Sequence, residues 1–215
     1  MTISTRNLDG LGDIPHFRRV ARALATLDAV LWPEWADRYY SFSSRWGESE
    51  MMASMRNGSG DHWFAVLSST GVALLGLSHE APVFRPGSPW PGIYDGLPPE
   101  FHANLLHEPA FTSEHVTFCI WRLAGADRWS TGPVQLPNHE DPDGSAEWLS
   151  ILAGDPQQYV DFAAEYYDRE LDVAVVAAVY QHQPLTDELV RRLNPAVHLD
   201  SLRPDLDEIG YPETR

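Results

Sequence analysis

The chain has 215 residues, of which 43% are hydrophobic and 11% aromatic, enough apolar material for a sizeable core and too much for a disordered chain. Its 31 acids outnumber 15 basic residues, all of them arginine, for a net charge of −16. With no lysine there is neither a Schiff-base amine nor a Walker-type phosphate loop, and the negative field repels nucleic acid.

The acidity is uneven. Residues 1–110 hold 8 arginines and 12 acids, whereas residues 111–215 hold 7 and 19. That asymmetry suits either plain solubility or the attraction of a basic partner protein. Cys119 is the single cysteine, so no internal disulfide can form, which agrees with a reducing compartment. The first residues lack a basic region leading into an apolar stretch, and no apolar run reaches membrane-spanning length. The expectation is a cytoplasmic protein with no membrane contact.

In chain order, Asp13 can cap and Pro15 can open a helix over about residues 14–30, with Phe17, Val20, Leu24 and Leu27 on one face. Pro33 opens a short helical turn carrying Trp32 and Trp35. Residues 38–45, 50–57, 62–68 and 72–78 read as strands, separated by joints too short for parallel crossovers. Residues 81–99 hold six prolines and three glycines, a density that no helix or ladder strand tolerates, and read as a lid, an interface or plain packing. A short helix is expected over 100–107 and a hairpin from 116–123 and 129–134. Beyond Pro137 the pattern turns helical, with elements at 145–153 and from Pro156 to about 168. Further helices follow Asp172 and Thr186, and a last one is closed by Gly210.

The fold class is therefore α+β, one domain over residues 1–215. Residues 1–137 supply a leading helix and one antiparallel sheet of about five to six strands, and residues 138–215 a C-terminal helical cluster.

No catalytic residue, metal ligand or cofactor is assigned. The nine histidines include no pair at metal-binding spacing, and Asp141-Pro142-Asp143-Gly144-Ser145 places its glycine fourth where a calcium loop needs it sixth. Gly58-Ser59-Gly60 is too short for a nucleophile elbow, and Cys119 between Phe118 and Trp121 reads as a buried side chain. In "MRNGSGDHW" the glycines are positions needing φ > 0 in a hairpin loop, not an anion cradle. Tyr159, Phe162, Tyr166, Tyr167 and Tyr180 read as core with hydroxyls at the surface, and Asp161, Glu165, Asp168 and Glu170 as a solvated face.

Candidate ligand contacts cluster between residues 39 and 62. Strand alternation puts Tyr39, Ser41, Ser43 and Arg45 on one face, and Arg56, Asp61 and His62 flank the next hairpin, a mixture suited to a polar ligand or peptide. Trp90, on the stiff proline-rich loop, is a sixth candidate.

The stretches "RYYSFSSRW", "MMASMRNGSGDHWF", "TFCIWR", "DPDGS", "EYYDRELDVAVVAAVY" and "EIGYP" resemble those of a group of uncharacterised bacterial proteins, which implies a bacterial origin and no particular activity. "GDHWFAVLSSTGVALLGLSHE", between a leading helix and trailing helices, also loosely resembles the SMI1/KNR4 family, which includes many immunity proteins of bacterial toxin systems. That resemblance implies an antitoxin-like role and carries over no functional residue. Three classes of function follow: a non-enzymatic protein-binding module, a small-molecule binder or enzyme using residues 39–62, and a structural domain acting through oligomerisation.

Overall fold

In the computed structural model, which describes residues 2–212, helix α1 (Ile14–Leu31) starts where its cap predicts. The Asp13 carboxylate accepts the His16 N–H at 2.8 Å, and Pro15 sits in the first turn, where a missing N–H costs nothing. The expected turn after Pro33 is a 3₁₀ turn at Trp35–Asp37 that leaves Trp32 outside it.

Six strands then form one antiparallel sheet in sequence order: β1 (Tyr40–Gly47), β2 (Glu50–Arg56), β3 (His62–Leu67), β4 (Gly71–Leu77), β5 (Phe118–Leu123) and β6 (Ser130–Thr131). The β2–β3 hairpin pairs Arg56 with His62, and Asn57 shapes its loop. The Asn57 side-chain carbonyl accepts the N–H groups of Ser59 and Asp61 at 2.8 and 3.0 Å. Gly58 and Gly60 stand at φ +74° and +115°, a region other residues enter only at a cost.

Period-two alternation divides the sheet. Phe42, Met55, Trp63, Leu74 and Ile120 face α1 and the C-terminal helices in the larger core. Met52, Val66, Leu75, Cys119 and Trp121 face the other way. There the proline-rich segment covers them, sinking Ile93 and Leu97 against the strands, with Phe101, Leu105 and Phe111 behind. Residues 81–99 thus pack on the second face of the sheet. Residues 100–107 are not a regular helix: a 3₁₀ turn at Pro99–Phe101 passes into a π-type turn at His102–Leu106, which brings both Phe101 and Leu105 into the core.

The C-terminal helices are α2 (Ser145–Leu149), α3 (Pro156–Tyr166), α4 (Val173–Tyr180), α5 (Asp187–Leu193) and α6 (Leu199–Ile209). The element expected over 145–153 is split, α2 tightening into a 3₁₀ turn at Ser150–Ala153 before Gly154. The Asp-Pro-Asp-Gly-Ser segment serves that helix start. Asp141 accepts the N–H groups of Ala146 and Glu147, and Asp143 accepts the backbone N–H and hydroxyl of Ser145. Asp155, Asp172 and Thr186 each cap the helix that follows them. No helix among the described residues is long and apolar enough to cross a membrane.

Candidate functional site

The geometry of the site begins with a buried acid. Asp28 is fully buried on α1 and has no cationic partner among the described residues. It instead accepts hydrogen bonds from the Tyr159 hydroxyl at 2.6 Å, the Tyr167 hydroxyl at 2.8 Å and the Tyr40 backbone N–H at 2.7 Å. Burial pushes its carboxyl up to about 6, against the opposing pull of these donors. These hydroxyls therefore point inward to Asp28, correcting the expectation that they reach the surface: a buried carboxylate without a cation needs every donor it can find. The node ties α1, α3 and the first residue of β1 together.

Fixing Tyr40 fixes Tyr39 beside it. Tyr39 stands just before β1, so strand alternation does not govern it. Its ring packs against Phe162 and Tyr166 of α3 at 4.8 and 4.7 Å between centroids. It is 7% exposed, and its hydroxyl has no hydrogen-bond partner among the described residues. Burial, then the nearby Tyr166, Glu147 and Asp61, drive that hydroxyl far above the usual phenol range.

Tyr39 and Tyr40 form one side of a cleft of about 610 Å³. Helix α3 supplies a second wall, with Gln158, Asp161, Phe162, Glu165 and Tyr166 at the three- and four-residue spacings of one helical face. The third wall comes from α2 and the turn after it, with Glu147, Trp148 and Ile151. Three carboxylates and several aromatic rings thus converge. Glu147 and Glu165 form no ion pair among the described residues, while Asp161 accepts one bond, from Gln157 at 2.8 Å. Burial and the charges of Asp61, Asp141 and Glu80 raise the Glu147 carboxyl above the ordinary range. Behind the cleft surface the Trp148 indole nitrogen, a donor, and the Gln158 side-chain oxygen, an acceptor, are buried without partners among the described residues.

Of the lining rings Tyr166 is the most open, 44% exposed. Trp35 lines a separate hollow and is 56% exposed beneath the Arg56 guanidinium, which lies 4.4 Å from its ring centroid. The Arg56 backbone N–H donates to the Tyr39 carbonyl at 2.8 Å.

Of the six residues singled out from sequence, Tyr39 alone lines this cleft. Asp61 is close enough for its charge to act on Tyr39 and Glu147, but its carboxylate is held by the His79 backbone N–H at 2.7 Å, the His79 ring at 2.6 Å and the Asn57 amide at 2.7 Å. Burial raises that carboxyl, yet these donors together outweigh it and its pKa is lowered.

Arg45 is exposed and donates to the Asp207 carbonyl at 3.0 Å; the register shift between Ser43 and Gly47 breaks the expected polar face. Arg56 reaches Trp35 and leaves one guanidinium nitrogen buried without a partner. His62 donates through Nδ1 to the Gly60 carbonyl at 3.0 Å, so Nε2 accepts from the Thr112 hydroxyl at 2.9 Å, and burial lowers its pKa. Trp90 donates to the Gln135 carbonyl at 3.2 Å, with Arg85 over its ring. The six side chains do not converge.

Sequence reasoning missed Glu147, Trp148 and Gln158; it placed Asp161 and Glu165 on a solvated face, and both are exposed, at the mouth of the cleft. The available signal was Asp28, an acid on the apolar stripe of α1 four residues after Leu24. Elsewhere, a cleft of about 440 Å³ between α1 and α4 holds His16 and Arg19, whose side chains already bond each other. Cys119 is 1% exposed and burial drives its thiol far up, so no reactive thiolate is available.

No protein-family model matches the chain, and no curated protein or solved structure matches it either.

Proposed function

We propose that this chain is a non-enzymatic bacterial protein-binding module that holds a basic partner protein, in the manner of an immunity or antitoxin-like factor, through the cleft between β1, α2 and α3. One observation carries the reading: carboxylates with no ion pair among the described residues stand around aromatic rings and a Tyr39 hydroxyl likewise without a partner there, in a chain of net charge −16. Negative charge beside aromatic faces suits an ammonium or guanidinium, through charge-assisted bonds and cation–π contact. Tyr166 adds a large, partly exposed aromatic of the kind that dominates binding energy at interfaces. The small-molecule alternative loses its support around residues 39–62, because Arg45, Arg56, Asp61 and His62 each turn to a separate neighbour.

The test is affinity capture from the source bacterium on wild-type protein and on a Glu147→Gln/Glu165→Gln variant. A basic protein held by the wild type, released by salt and lost from the variant is the expected outcome. Equal recovery on both, or retention indifferent to salt, overturns the proposal.

A further inference from the structure

We infer that the face of α1 carrying Arg18, Arg19 and Arg22, with His182 beside it, binds a phosphomonoester, its phosphate on the guanidiniums and its organic group in the hollow between α1 and α4. That hollow shares no lining residue with the acidic cleft, so the inference is independent of the basic-partner reading.

The arginines carry the argument. In a chain with 31 acids, none of the three forms an ion pair with a carboxylate among the described residues. Helical spacing sets Arg18 and Arg22 one turn apart on one row, with Arg19 at the next position toward the hollow. Arg22 is half-buried, and burial, then the Arg18 charge, lower its pKa. Its own contacts are weak ones, the Phe42 ring at 5.1 Å to the centroid and the Met51 thioether at 3.6 Å.

His182 brings a further ionisable nitrogen base to the same place. It stands at φ +56°, a backbone state that costs a residue other than glycine. There its Nε2–H donates to the Arg19 carbonyl at 2.9 Å, and its ring packs on Tyr211 at 4.9 Å. Burial, and then the charges of Arg22, Arg19 and Arg18, lower its pKa against the pull of that hydrogen bond. Groups of one sign thus crowd one face, and a bound dianion relieves their repulsion.

The geometry favours phosphate over a carboxylate. A carboxylate has two oxygens and fills one guanidinium fork, whereas a phosphomonoester has three free oxygens and nearly two charges to share among several. The net charge of −16 opposes any anion at a distance, but salt screens that field within about 8 Å at physiological strength. Arg19 joins the cluster to the hollow of about 440 Å³, where Pro156 and Ala177 are partly exposed and offer apolar surface. Its bond to His16 Nδ1 at 3.3 Å uses one of five N–H donors.

The experiment uses the full chain and three probes at matched ionic strength: phenyl phosphate, inorganic phosphate, and benzyl alcohol, which has the ring without the charge. Thermal unfolding reads binding, and the carbon-bound imidazole protons of His182, assigned through His182→Gln, read its place by NMR. Phenyl phosphate should raise the unfolding temperature saturably. It should also move the His182 titration midpoint upward, because the dianion cancels the field of the arginines. Inorganic phosphate should do both about tenfold more weakly, and benzyl alcohol neither. Arg18→Gln removes an exposed side chain with no partner among the described residues. It should unfold like the wild type without ligand and bind phenyl phosphate about tenfold more weakly. Arg22→Gln should weaken it at least as much.

Undiminished binding by Arg18→Gln overturns the inference. So does stabilisation by phenyl phosphate that leaves the His182 signals in place, or that sodium chloride reproduces. Equal affinity for inorganic and phenyl phosphate overturns the ester and leaves free phosphate as the ligand. None of these outcomes touches the acidic cleft, whose test is capture of a basic protein.

Discussion

The Tyr159 hydroxyl donates a 2.6 Å hydrogen bond to Asp28, joining α3 to α1 through a carboxylate that no arginine among the described residues neutralises. The cleft exists because of this contact and its neighbours. It sets how α3 lies against the start of β1, and so how Tyr39 meets Phe162 and Tyr166.

That geometry gives a pH signature. Burial holds the Asp28 carboxyl at about 6 in the folded protein, above the ordinary value of about 4 in the unfolded chain. The native state then keeps a proton that the unfolded state has already released, so this group's stabilisation is complete below about pH 4 and is lost as pH rises to about 6. The change amounts to roughly 3 kcal/mol. Urea unfolding across this range should show a steeper loss of stability with rising pH in the wild type than in Asp28→Asn; an equal slope in the variant removes Asp28 as its source.

The hairpin glycines make a simpler claim. Gly58 stands at φ +74° and an added Cβ meets nothing within 4 Å, so backbone conformation alone sets the cost of a side chain. Gly58→Ala should lose about 1 kcal/mol in denaturant unfolding with an unchanged m-value. Gly58→Asn should lose less, because asparagine enters the left-handed region more readily. Equal losses for the two count against the conformational explanation.

Arg56 lies at the surface, outside the cleft. Its guanidinium stacks on a tryptophan that is 56% exposed, a contact worth about 0.5–1 kcal/mol at such a site. Arg56→Ala should therefore unfold at nearly the wild-type denaturant concentration and, because it removes a cation, leave capture of a basic partner undiminished. A loss of several kcal/mol instead makes Arg56 a folding residue.

The fold was legible in the sequence because its signals are local. Alternation and turn residues placed the first four strands to within about two residues, and Asp13, Asp155, Asp172 and Thr186 are side-chain caps that announce their helices. The cleft was not, because its walls come from residues 39–40, 147–151 and 158–166, brought together by packing that no spacing rule encodes. Asp161 and Glu165 look like any exposed acids on α3 until Glu147 is set opposite. Tyr39 was found, although for a strand-face reason that the break at the start of β1 does not support.

Tyr39→Phe separates binding from folding. The hydroxyl has no partner among the described residues, so removing it should change stability by less than about 1 kcal/mol. The same change should weaken capture of the basic partner several-fold, by removing an acceptor that serves its cation. A variant that binds undiminished excludes the hydroxyl from the contact.

Binding at the cleft should also depend on pH, with a sign fixed by Glu147. Burial, and then Asp61, Asp141 and Glu80, raise its carboxyl above the ordinary glutamate range, so in the free protein it takes up a proton earlier than a solvated glutamate as pH falls. A bound cation needs the carboxylate ionised, so protonation competes with it and affinity must decrease toward acid pH. The fall should set in at a higher pH than a solvated glutamate would give. Measuring capture of the basic partner by wild type and Glu147→Gln from about pH 7 to about pH 5 checks this. The variant should bind more weakly at neutral pH and lose much of the pH dependence, whereas an unchanged profile would place the cation away from Glu147.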